Sequence, residues 1–172
     1  DGSGERILNP STIIHIEEGG YMEMESVQIK GVDSTERITE ADLAAGATLV
    51  VREKLMTHGR QKAESKFKVD LNGADSSANV ISRSVAKGES EQTFISHLNG
   101  NNRCAGHTEC DGIIMDHAKV NAVPSLSAND LDASLIHEAA IGKIAGEQLI
   151  KLMTLGLTEA EAEEQIVNGF LK

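Results

Sequence analysis

The chain has 172 residues, of which 40% are hydrophobic and only 2% aromatic. That length suits one domain with an adequate core, a core that Val, Ile, Leu, Ala and Met must build. The formal net charge of −11 argues against nucleic acid and anionic membrane surfaces, because phosphates are bound by clustered Lys and Arg.

Asp1-Gly2-Ser3-Gly4 reads as a loop, with no signal peptide behind it. No run approaches eighteen apolar residues, so no bilayer-spanning helix is expected and a cytoplasmic protein is. From residue 11 to about 140 the chain reads as many short strands. Thr48–Arg52, Lys66–Asp70, Asn79–Ile81 and Thr93–Ser96 are β-branched or alternating, and Ala45-Gly46-Ala47, Asn72-Gly73, Lys87-Gly88 and Asn99-Gly100 punctuate them. Sliding the chain against itself brings Phe67, Leu71, Asn72, Gly73 and Ala78 onto Phe94, Leu98, Asn99, Gly100 and Ala105, always 27 residues on. A strand-rich period of that size suits a parallel β-helix, in which each turn buries its face on the next. Two similar hairpins are the alternative, since Asn-Gly also favours hairpin turns.

The pattern changes after Ala140. Ile144, Gln148, Leu149, Leu152 and Met153 fall at helical spacing, and Gly156 ends them. Thr158-Glu159-Ala160-Glu161 is a capping box that opens a second helix, which runs to Asn168-Gly169. The expected fold is all-β: a right-handed parallel β-helix over residues 1–140, capped by two short α-helices in 141–172. Those helices are expected to cover the open last turn, whose strand edges would otherwise stay unpaired.

Two cysteines, Cys104 and Cys110, are too few for a disulfide framework. Both can serve as small buried hydrophobes. The 27-residue offset carries Cys110 onto His137, and one extra residue in the turn would bring Glu138 there instead. Either way a thiolate and a second ligand lie near one another, and thiolate suits iron–sulfur chemistry. His107 and Glu109 flank the cysteines, His117 follows Asp116, and His15, His58 and His97 read as surface or turn residues. The cysteine spacing and the lack of a second pair argue against structural zinc. Gly142-Lys143-Ile144 is no P-loop. No GxSxG occurs, and Ile141 stands where HExxH would need its second His.

Taken together, Ile81-Ser82-Arg83-Ser84-Val85 with Gly88, Thr108-Glu109-Cys110-Asp111, His137-Glu138-Ala139, Gly142-Lys143-Ile144, Gln148-Leu149 with Gly156-Leu157, and Val167-Asn168-Gly169-Phe170 resemble the C-terminal half of the SufB/SufD scaffold proteins of SUF iron–sulfur cluster assembly. The resemblance covers roughly Leu49 to Lys172. It implies a β-helix with a helical tail, and a non-enzymatic scaffold that holds a transient iron–sulfur cluster. Its implied partners are a SufC-type ABC ATPase, a SufB/SufD-type homodimer or heterodimer partner, and a sulfur donor. It makes Cys110 the sulfur acceptor and a metal ligand, with Glu138 and His137 as further ligands. It also places the ATPase interface at Gln148, Leu149, Leu152, Met153 and Leu157. Cys110 makes the chain SufB-like; a SufD-like structural subunit and an unrelated β-solenoid enzyme are the alternatives. Family members are usually longer and begin with a helical region, so a fragment or a minimal homologue is expected.

Overall fold

The structure is a computed structural model that describes residues 4–172. The loop expected at Asp1-Gly2-Ser3-Gly4 therefore lies, but for Gly4, outside the described residues. Eleven strands follow one another: β1 (Ile7–Leu8), β2 (Ser11–Ile16), β3 (Tyr21–Gln28), β4 (Ser34–Leu43), β5 (Thr48–Thr57), β6 (Lys62–Leu71), β7 (Ser76–Ala86), β8 (Glu91–Gly100), β9 (Cys104–Ile114), β10 (Lys119–Ala128) and β11 (Ala133–Gly142). Two helices close the chain, α1 (Gly146–Thr154) and α2 (Glu159–Phe170).

Every strand pair is parallel, and from β2 onward consecutive strands alternate between two sheets. One sheet runs β1-β4-β6-β8-β10 with β2 also on β4; the other runs β11-β9-β7-β5-β3. This is the expected parallel β-solenoid. Side chains alternate in and out along each strand, so the inward residues stack into columns that thread the turns. Leu49 faces Ala78 and then Gly106; Val51 faces Val80 and then Thr108. With few aromatics the columns are thin. Phe67 and Phe94 form a ring pair with centroids 5.6 Å apart. Turns meet so closely at the corners that a Cβ on Gly73 would lie 1.9 Å from the backbone nitrogen of Ala45.

The repeat differs from its expected spacing. The step is 27 residues only where β3 meets β5 and where β1 and β2 meet β4. Beyond that it is 28 or 29: Ser34 faces Lys62, Lys62 faces Glu91, and Cys104 faces Ala133. Phe94 thus sits opposite Ser65, and Phe67 opposite Ser96. The 27-residue matches between β6 and β8 keep the same face because the error there is two residues, whereas Ala78 and Ala105, on strands with a step of 28, lie on opposite faces. Asn99-Gly100 is the end of β8 rather than a turn; the corner follows at 101–103.

The capping box at Thr158 is present, its hydroxyl accepting from the Glu161 N–H while the Glu161 carboxylate accepts from the Thr158 N–H. Ile144 precedes α1 rather than joining it. It packs with Val85, Met115, Val167 and Phe170, which fixes α2 against the flank of the middle turns. Lys87 reaches Glu163 there at 4.0 Å. The helices therefore do not cover the last turn. Among the described residues the outer edges of β10 and β11 pair with nothing, and Val123, Leu126, Ile136 and Ile141 stay exposed beside them. No helix among the described residues is long and apolar enough to cross a membrane.

Candidate metal and sulfur site

The 29-residue step between β9 and β11 changes the expected neighbours of Cys110. Ala139, not His137, lies opposite it; His137 pairs with Thr108 and Glu138 with Glu109. Cys110, Thr108 and His137 share the inward face, whereas Glu138 projects from the outer one. A slip of one residue moves a side chain through the sheet. Glu138 and Cys110 are consequently separated by the backbone itself. His137 is diagonal to Cys110, at the separation of about 7–8 Å usual for such neighbours.

Cys110 stands next to last in an inward column of small and polar groups: Ser26, Glu53, Ser82, Cys110, Ala139. The thiol is 1% exposed. Burial foremost, then the charges of Glu53 and Asp111, push it up to about 12. Cys104 is also buried and free. Beside Cys110 lies a void of about 10 Å³, bordered by Glu53, Ser65, Ser82, Ser84 and Gln92. It has room for one water at most.

Glu53 is the residue that sequence reasoning passed over. It lies on the same face as Leu49, Val51 and Leu55, so the alternation within Thr48–Thr57 already puts a carboxylate among apolar side chains. It is buried and accepts hydrogen bonds from Ser65 Oγ (2.6 Å) and Ser82 Oγ (2.9 Å), with Arg37 Nε at 3.6 Å. Burial raises its pKa; the two serines and Arg37 pull the other way. A carboxyl whose folded pKa is raised is protonated first in the folded state. Its effect is to lower stability as pH rises from the ordinary value of 4.5 through the raised folded value. Glu53→Gln should remove that loss. Urea midpoints at pH 5 and pH 8 are expected to fall less between the two in the variant than in the wild type.

His137 Nδ1 shares a 2.6 Å hydrogen bond with the buried Thr108 Oγ1. Burial, then the charge of His107, lowers its pKa, which keeps the ring neutral and leaves Nε2 able to bind a metal. On the outer face, ligating atoms of His107, Glu109 and Glu138 lie within 4.8 Å of one another. The pKa of Glu109 is raised by burial first, then by its neighbour Asp111.

Of the five helical-tail residues assigned to an ATPase interface, Gln148 and Met153 are exposed and Leu149, Leu152 and Leu157 half-buried. Helix α1 has no buried residue, and Ile150 and Leu155, not singled out from the sequence, are more exposed than any of the four apolar positions that were.

Comparison with known proteins shows the family. Residues 3–170 match the family model for the SufBD core domain of SUF system FeS cluster assembly. An iron–sulfur cluster assembly SufBD family protein of Archaeoglobus fulgidus is 32% identical over 167 residues, 96% of this chain and 45% of its own length. One from Methanothermobacter thermautotrophicus is 42% identical over 106 residues, 60% of this chain and 26% of its own length. The SufB of Bacillus subtilis is 32% identical over 102 residues, 57% of this chain and 22% of its own length. The chain thus spans less than half the length of these curated relatives. With its solenoid matched from end to end, it belongs to the SufBD core-domain family of the SUF iron–sulfur assembly system.

Proposed function

We propose that this chain is a scaffold component of SUF iron–sulfur cluster assembly, one that accepts sulfur on Cys110 and iron beside it and leaves ATP hydrolysis to an ABC-type partner. The single observation that carries this reading is the inward column that leads through Glu53 and Ser82 to Cys110, one turn from the unpaired end of the solenoid. The thiol supplies the soft ligand an iron–sulfur cluster needs, and His137 stands on the same face of its strand pair.

In the closed chain Cys110 is a buried, protonated thiol, and protonated thiols are neither nucleophiles nor ligands. Assembly therefore requires the last turns to open. Displacing β11 would expose Cys110 and let Glu138 turn from the outer face toward the same ions. The exposed apolar side of α1, with Ile150, Met153 and Leu155, suits an ATPase subunit whose closure transmits that motion. The uncovered edges of β10 and β11 suit a second SufB/SufD-type chain, identical or paralogous.

The test is co-expression with the ABC-type ATPase of the same SUF system, followed by purification with iron and sulfide quantified in one sample. A stable complex carrying both elements is expected, and Ile150→Glu should abolish complex formation. Absence of any complex would reject the partnership. A SufD-like structural subunit is the second reading, favoured by how tightly Cys110 is enclosed; it requires the complex to form without iron.

A further inference from the structure

Outward carboxylates on this solenoid are usually matched by a basic side chain on an adjoining turn. Glu25 meets Lys54 at 2.6 Å, Glu36 meets Lys66 at 2.7 Å, Asp75 meets Arg103 at 2.6 Å, and Glu91 meets Lys119 at 3.2 Å. The column Glu25, Arg52, Ile81, Glu109, Glu138 departs from this at its end. There two glutamates are direct register partners. Like charges directly opposite on neighbouring strands repel. Among the described residues no Lys or Arg comes within 4.0 Å of either one; the near group is His107, whose Nε2 lies 3.6 Å from Glu138 Oε2.

The ring of His107 is held from behind. Its Nδ1 is 3.1 Å from Asn79 Oδ1, the facing residue one turn earlier. With Nδ1 turned to Asn79, Nε2 is the ring nitrogen that faces the carboxylates. The result is one imidazole nitrogen and two carboxylates converging within 4.8 Å, with no Lys or Arg among them. A bound cation would offset the repulsion between the two facing carboxylates. An outer hydrogen bond that fixes the tautomer and aims the other nitrogen is the arrangement that supports metal-bound histidines.

We infer that His107 Nε2, Glu109 and Glu138 form a binding site for a divalent first-row transition ion on the outer face of the second sheet. One borderline nitrogen and two hard oxygens suit Fe(II), Mn(II) or Zn(II) rather than a soft ion. Water completes the shell, because Glu138 is exposed and the other two ligands half-buried. The site goes beyond the proposed assembly function and shares no face with Cys110. In the closed chain it holds Glu138 away from the interior, and an ion bound there would leave Glu138 only when β11 moves.

The test uses the full chain, stripped of metal with a chelator and titrated anaerobically with Fe(II) and, separately, with Mn(II). One ion per chain is expected. His107→Ala and Glu109→Gln should each weaken it at least tenfold, and Asn79→Ala about tenfold through loss of the ring's support. Cys110→Ala should bind as the wild type does. Nitrogen coupling in the pulsed electron paramagnetic resonance spectrum of bound Mn(II), lost in His107→Ala, would assign the imidazole. Absence of saturable binding, or binding unchanged in both His107→Ala and Glu109→Gln, overturns the site. So does loss of binding in Cys110→Ala, which would place the ion inside. Cluster assembly on Cys110 is measured separately, so either reading can fail without the other.

Discussion

At pH 7.5, Cys110 of the native chain should react with iodoacetamide at least a hundredfold more slowly than a free cysteine. A thiol with a pKa of about 12 presents roughly one three-thousandth of the thiolate of an ordinary one near 8.5. The higher basicity returns a factor of about 25 to 55 in intrinsic nucleophilicity, and 1% exposure then restricts approach. Peptide-resolved mass spectrometry separates Cys110 from Cys104, whose pKa burial also raises. In denaturing urea both should react at the free rate. Alkylation of Cys110 at the free rate in the native chain would contradict the enclosed column on which the site is built. With the ATPase partner and a slowly hydrolysed nucleotide bound, the rate is expected to rise, because the proposed mechanism opens the last turns. The same shift makes folding weaker in base. Between about pH 8.5 and about 12 the unfolded chain releases a proton that the folded chain retains, so stability declines across that window.

Much of the architecture was legible in the residues. Alternation in Thr48–Arg52 and Lys66–Asp70 marked strands, and Thr158 with Glu161 marked the second helix. The strand register was harder to read. Corner residues with positive φ recur down the solenoid, at Gly19, Gly46 and Asp75 on one side and at Gly59, Gly88 and Asp116 on another. Glycine is the expected residue there, but aspartate fills the last position in each series. The steps of 29 and 28 that end in Asp75 and Asp116 were therefore hidden, while chance matches at 27 stood out. An error of two residues leaves the inward face unchanged, so the fold emerged intact while the neighbours of Cys110 did not. The face of Glu138 depends on that register and could not be read without it. Glu53 was visible as a charge on an apolar face. His107 and Glu109 were visible as a cluster, but Asn79 and Glu138 join them only once the turns are stacked.

The second large effect concerns Cys110 itself. Exchanging a buried cysteine for alanine removes one sulfur atom from a site already lined by serines, a stability loss of about 1 kcal/mol, so Cys110→Ala should fold. His137→Ala leaves the thiol in place and should lower cluster yield less than loss of the sulfur ligand does. The most direct measurement is anaerobic reconstitution of the ATPase-bound chain with iron and sulfide, comparing wild type and Cys110→Ala in iron content, acid-labile sulfide and charge-transfer absorption. At least a tenfold loss of all three is expected in the variant. A variant that assembles the same cluster, in the same yield and with the same spectrum, would contradict the assignment of Cys110 as sulfur acceptor.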